Sequence, residues 1–130
     1  MKVRTRSAAP QLRAEITDSV GAHRGFLHHS KGDNEGAIAD YSKALALNPA
    51  NEECWRGRGL AYLNGRMPLS AIADLTRAIA LNSDDALTHR FRSMAYVATH
   101  DLRQAADDQT SAFRLDPRLA KPQQRPASRS

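Results

Sequence analysis

One phrase is written three times in this chain, 34 residues apart. Ala37-Ile38-Ala39-Asp40 returns as Ala71-Ile72-Ala73-Asp74 and, more loosely, as Ala105-Ala106-Asp107-Asp108. Ala44, Ala78 and Ala112 keep the interval, as do Leu47, Leu81 and Leu115, and Arg24, Arg58 and Arg92. A fixed period of this length constrains the fold more tightly than composition can. A short unit cannot bury its apolar face alone, so the copies must stack and share a continuous core; about three are needed for stability. Such arrays present extended surfaces to partners.

The pattern within each copy is helical. Between the two tails we read six helices in three antiparallel pairs. Asn51 is placed to cap a helix over about 52–65, with Glu52 and Glu53 at the positive end of its dipole. That helix ends near Asn64-Gly65, where Gly65 is expected to take a left-handed conformation. Pro68 suits the first turn of the next helix, where its missing N–H costs nothing. Leu69, Ile72, Ala73, Leu75, Ala78, Ile79 and Leu81 then form an apolar stripe. Asn82-Ser83-Asp84-Asp85 breaks the chain and offers caps for the third pair. Gly32-Asp33 and His100-Asp101 make the inner turns of the other two pairs. Asn48-Pro49 and Asp116-Pro117 close their second helices, since proline disfavours helix in the residue before it. The expected organisation is a flexible arm over 1–10, a repeat domain over 11–119 with copies at about 18–51, 52–85 and 86–119, and a disordered basic tail over 120–130.

Trp55-x-x-Arg58-Gly59-x-x-Tyr62, then Ala71-x-x-x-Leu75, then Ala78, with Pro49 and Pro117 closing copies, resembles the tetratricopeptide repeat. The Arg-Gly variant resembles a bacterial subclass of that family. The resemblance implies an all-α, right-handed superhelical solenoid of three antiparallel helix pairs. The small residues Ala37, Ala71 and Ala105, and Gly25, Gly59 and Ser93 facing them, would let helices approach closely. Gly21 and His28 in the first copy, and Gln109 in the third, depart from the pattern and mark the ends of the stack.

Two series of opposite charge share the period. Arg24, Arg58 and Arg92 stand where the general pattern has leucine, and Asp40, Asp74 and Asp108 recur on the partner helices. Guanidinium suits partly buried bidentate pairing, so a ladder of Arg–Asp pairs is expected. The alternative is three partly exposed arginines whose stems pack on the core.

In this family the first helix of each pair lines a concave groove. Carried over, the groove would present Phe26 and His29 from the first repeat, with Ala22. The second would give Glu53, Arg56, Leu60, Leu63 and Asn64, and the third Leu87, Arg90, Met94 and Val97. This implies a protein or peptide partner with apolar side chains and an acidic group read by Arg56 and Arg90. The competing expectation is that Leu60, Leu63 and Met94 simply pack between helices. One branch of the family grips the C-terminal carboxylates of chaperones with Lys, Asn and Arg side chains. Those slots here hold Ala22, Phe26, Gly57, Leu87 and Phe91, so that clamp is not expected.

Composition adds exclusions. The net charge of +5 belongs to the tails. Residues 1–17 carry Lys2, Arg4, Arg6 and Arg13 against Glu15, and residues 118–130 carry Arg118, Lys121, Arg125 and Arg129 with no acid. The stretch 18–117 has 11 basic and 13 acidic residues, which argues against a basic nucleic-acid groove. Tail contacts with nucleic acid or anionic surfaces stay open as an accessory role. His23, His28 and His29 lack the spacing of zinc ligands, and Cys54 is the sole cysteine. There is no phosphate loop or nucleophilic set, so neither an enzyme nor a cofactor or metal site is expected. The basic N-terminus is not followed by an apolar stretch, which points to a cytoplasmic protein. Assembly into a homodimer through the uncapped third copy is the second functional reading.

Overall fold

The computed structural model describes Gly25 and residues 32–119. Five α-helices follow one another: α1 Asn34–Leu47, α2 Glu52–Asn64, α3 Pro68–Leu81, α4 Ala86–Ala98 and α5 Leu102–Leu115, closed by a 3₁₀ turn at Pro117–Leu119. Gly25 is helical and buried. The arm, the rest of the first helix, the His23–His28–His29 cluster and the tail lie outside the described residues. The architecture is the expected all-α solenoid, with α2–α3 and α4–α5 as complete repeats and α1 as the second helix of the first.

The termini are set by local chemistry. Side-chain oxygens of Asp33, Asn51, Asp85 and Asp101 accept from the N–H groups of Gly36, Cys54, Leu87 and Gln104, and so cap α1, α2, α4 and α5. Only α3 lacks a side-chain cap, and Pro68 opens it instead. The turn after α2 differs from expectation. Gly65 has a φ of −85°, and the left-handed residue is the next one, Arg66, at 64°. The Met67 N–H donates to the Tyr62 carbonyl at 2.8 Å and the Arg66 N–H to Leu63 at 3.1 Å, the paired bonds of a Schellman ending. That pairing puts the left-handed residue one position past the last helical turn, so Gly65 is still turning right-handed. Gly32 and His100 occupy the same place in the other repeats, at φ 80° and 63°.

Close approach is visible at the small residues. A Cβ on Gly59 would sit 2.8 Å from Leu75 Cγ, and one on Gly25 would sit 2.9 Å from the Tyr41 ring. Ala37, Tyr41, Ala44, Leu45, Cys54 and Ala61 form one buried cluster, and Ala71, Leu75 and Ala95 a second. Trp55 Nε1–H donates to the Pro49 carbonyl at 2.8 Å. One repeat later His89 stands in the tryptophan slot, with Nε2 3.0 Å from the Ser83 carbonyl. That contact requires the proton on Nε2.

The Arg–Asp ladder forms. Arg58 donates from Nε and Nη2 to both carboxylate oxygens of Asp74, at 2.7 and 2.9 Å. Arg92 does the same to Asp108, at 2.8 Å for each bond. The remaining nitrogen, Nη1, reaches back to the preceding repeat: Arg58 to the Ser42 hydroxyl at 3.0 Å and Arg92 to Thr76 at 3.1 Å. Arg24 falls outside the described residues, and Asp40 is buried.

The candidate binding groove

The helices form two rows. α2 and α4, the first helices of their repeats, approach each other, whereas the second helices α1, α3 and α5 do not touch one another. A stack whose inner row is the closer must curve, with α2 and α4 on the concave side.

On α4, Leu87, Arg90, Met94 and Val97 recur at helical spacing and are all exposed, the three apolar ones by 46, 49 and 47%. These are large apolar side chains left uncovered next to one another. On α2 the placement is mixed. Leu60 is half-buried, and Leu63 packs against the Ala71–Leu75–Ala95 cluster, which makes it partly core. Glu53 and Asn64 are exposed. Phe26 and His29 lie outside the described residues.

The two groove arginines have different surroundings. Arg56 Nη1 lies 2.6 Å from Asp85 Oδ2 and 3.3 Å from Glu52 Oε2, and Nη2 is 4.0 Å from Glu53. Burial would raise the Asp85 carboxyl, but the hydrogen bond and charge of Arg56 outweigh it and hold Asp85 below the usual range. Burial pushes Glu52 up against the pull of Arg56, with Asp85 and Glu53 adding to the push. Thirty-four residues on, the three acids become Ala86, Leu87 and Leu119. Arg90 therefore makes no ion pair among the described residues, and its charge faces the groove unanswered.

Sequence reasoning missed one feature of the groove floor. Gly57 sits on α2 over the end of the Tyr41 side chain, which arrives from the outer helix α1. A Cβ on Gly57 would lie 2.7 Å from the Tyr41 hydroxyl oxygen and closer still to Cζ. The same two slots one repeat later hold Phe91 and Leu75, and Phe91 packs against the buried cluster to which Leu75 belongs. The junctions thus exchange large for small across the interface: tyrosine under glycine in one, leucine under phenylalanine in the other. The signal available beforehand was the first glycine of Arg56-Gly57-Arg58-Gly59, whose slot in the third copy holds Phe91.

Among the described residues no three His, Cys, Asp or Glu side chains cluster to hold a metal, and no helix is long and apolar enough to cross a membrane. Cys54 is buried.

The profile of the TPR repeat family matches residues 25–65. No curated protein matches the sequence. Solved structures with the same architecture include the second TPR of Spaghetti (RPAP3) bound to the HSP90 peptide SRMEEVD. It is 25% identical with a TM-score of 0.79, and the match covers 82% of this chain and 98% of that one. The second TPR domain of human RPAP3, in complex with the HSP70 peptide SGPTIEEVD, is 26% identical with a TM-score of 0.75, covering 87 and 90%. The Arabidopsis OM64 TPR domain is 22% identical with a TM-score of 0.80, covering 82 and 88%. The fold of this chain is the tetratricopeptide-repeat fold.

Proposed function

We propose that this protein is a non-catalytic interaction module of the Arg-Gly bacterial type, acting in the cytoplasm, that holds a peptide segment of a protein partner along the concave face of α2 and α4. The observation that carries this is the exposed stripe Leu87, Met94 and Val97 with the unanswered Arg90 among them. An apolar stripe interrupted by a lone guanidinium suits a segment with apolar side chains and one carboxylate. Arg56, already held by Asp85 and Glu52, shapes the rim, and Arg90 reads the acid. Similar domains in RPAP3 proteins bound to short acidic peptides support this mode of capture. The ligand differs from those peptides, because Gly57, Leu87 and Phe91 offer no polar side chain to a terminal carboxylate. Pull-down from a lysate with wild type and Arg90→Ala tests the reading; equal recovery of the same partners from both refutes it.

A second reading is assembly of two copies through the end of the stack. Phe113 on α5 is 48% exposed, whereas its counterpart Leu45 is 6% exposed beneath the next repeat. Leu102 and Leu115 are exposed on the same helix. Sedimentation at micromolar concentration decides it, and a monomer defeats it.

A further inference from the structure

α5 is the last of the described α-helices, yet it keeps the residues of an interior junction. At both junctions inside the chain a hydroxyl on the outer helix receives the arginine of the next repeat. Ser42 accepts from Arg58 Nη1 at 3.0 Å, and Thr76 accepts from Arg92 Nη1 at 3.1 Å. Thr110 continues that series on α5. It is exposed, it donates to the Ala106 carbonyl at 3.0 Å, and among the described residues no arginine donates to it. Phe113 is likewise 48% exposed in the slot where Leu45 is 6% exposed beneath the next repeat. Residues 120–130 supply no apolar cover, since they contain no leucine, isoleucine, valine, methionine or aromatic residue.

The other half of such a junction is written at the opposite end of the chain. His23 and Arg24 lie outside the described residues and enter by register, which Gly25 fixes. A Cβ on Gly25 would meet the Tyr41 ring at 2.9 Å, as one on Gly59 would meet Leu75 at 2.8 Å. Arg24 therefore holds the slot of Arg58 and Arg92, one residue before that glycine. The hydroxyl in register with it would come 34 residues before Ser42, where the chain has Ala8. One end thus has the arginine without the hydroxyl, and the other the hydroxyl without the arginine. A second pair of slots agrees. Across the interior junctions Tyr41 meets Gly57, and in the same slots Leu75 and Phe91 share one packed cluster. At the two ends these slots hold Gln109 and His23. Both are polar, both need a hydrogen-bond partner once covered, and an amide and an imidazole can supply one to each other.

We propose that copies of this chain stack head to tail, the first repeat of one seated on α5 of the other in the register of a further repeat, with Arg24 donating to Thr110 and His23 opposing Gln109. This rests on the second reading above and gives that assembly its partner surface and its register. The interface is heterologous, so every pair keeps one free α5 and one free first repeat and can add further copies.

Sedimentation of the full chain over a range of concentrations tests this with variants blocked at one end only: Phe113→Glu at α5 and His23→Glu at the first repeat. Thermal melts establish that each is folded, and Thr110→Arg, which sets like charge against Arg24, and His23→Trp serve as second variants at the two ends. Wild type is expected to gain mass with concentration, and each variant alone to sediment as a single copy. An equimolar mixture of the two variants should then form pairs, because each supplies the end that the other lacks. A mixture that stays single overturns the proposal. If His23→Glu assembles as wild type does while Phe113→Glu stays single, the contact is α5 against α5; the assembly reading stands and head-to-tail stacking fails. If wild type itself stays single, or neither variant changes its mass, the assembly reading fails and this inference falls with it.

Discussion

Arg58 grips both carboxylate oxygens of Asp74 and spends its remaining nitrogen on Ser42 in the repeat before. A single guanidinium thus ties the two helices of one repeat together and both to the preceding repeat. The same three bonds recur at Arg92 with Asp108 and Thr76. Arg58 also lies 5.2 Å from the Trp55 ring centre and 5.7 Å from that of Tyr62, so its flat faces are covered as well.

Asp74→Ala is expected to destabilise the fold by about 2–3 kcal/mol. Removing one partner of a buried pair leaves the other charge uncompensated, at a cost of about 3–5 kcal/mol when burial is complete, and Arg58 keeps some contact with solvent. Ser42→Ala removes only one of three bonds and should cost about 1 kcal/mol. Urea denaturation measures both. A loss at Asp74→Ala below about 0.5 kcal/mol, the range of ordinary surface changes, means the ladder contributes nothing.

The clasp of Arg56 on Asp85 gives the stability a pH dependence. Asp85 is depressed on folding, so its contribution is present above the unfolded carboxylate value and is lost as pH falls through the lower folded one. Glu52 is raised, so it has the opposite sign: its contribution is fully present below the unfolded value and is lost as pH rises through the folded one. Asp85→Asn, which keeps the helix cap, should cost about 0.5–1 kcal/mol at pH 7, discounted because both side chains touch solvent. That difference should shrink towards zero as the pH falls through the depressed folded value of Asp85. Glu52→Gln should be neutral or stabilising at pH 7, again converging in acid. Denaturation curves at three pH values check this; an Asp85→Asn deficit that persists unchanged in acid assigns the loss to something other than the ion pair.

The scaffold was legible because its determinants repeat. Asn51 and Asp85 cap the helices they precede, and the Arg–Asp ladder could be foreseen because both series keep residue type and interval. What broke the period was hidden. The left-handed turn position is held by Gly32, Arg66 and His100, so only one copy advertises it with glycine, and Gly65 drew attention one residue early. The neutralisation of Arg56 depends on Asp85, which comes 29 residues later and belongs to the next helix as its cap. Tyr41 beneath Gly57 pairs two slots on different helices whose counterparts, Leu75 and Phe91, exchange large for small. No single-copy pattern contains that relationship.

Arg66 occupies a conformation that suits glycine. A left-handed residue with a Cβ costs about 1–2 kcal/mol, part of which glycine returns through the greater freedom of its unfolded chain. Arg66→Gly should therefore stabilise the protein by about 0.5–1 kcal/mol, and His100→Gly by a similar amount. The exposed side chains of both residues lose little packing. Thermal denaturation of the two single variants and the double variant checks this, with additivity expected because the turns are separate. A destabilised Arg66→Gly would mean that the guanidinium makes up for the strain.

Gly57→Ala provides a size test of the first junction. In an open helix the change would gain about 1 kcal/mol of helix propensity. Here the new Cβ would overlap the end of the Tyr41 ring, a rigid group held in a packed cluster, and overpacking of this kind costs about 1–3 kcal/mol. The net effect in wild type should be a loss of about 1–2 kcal/mol. Tyr41→Leu alone opens a void and destabilises as well. Combined, the two changes approach the leucine–phenylalanine pairing of the second junction, where Phe91 packs against the buried cluster to which Leu75 belongs. In the Tyr41→Leu background Gly57→Ala should therefore turn stabilising, so the cycle gives a coupling of opposite sign to the single-mutant losses. Equal effects of Gly57→Ala in both backgrounds would show that the tyrosine is not what keeps that position small.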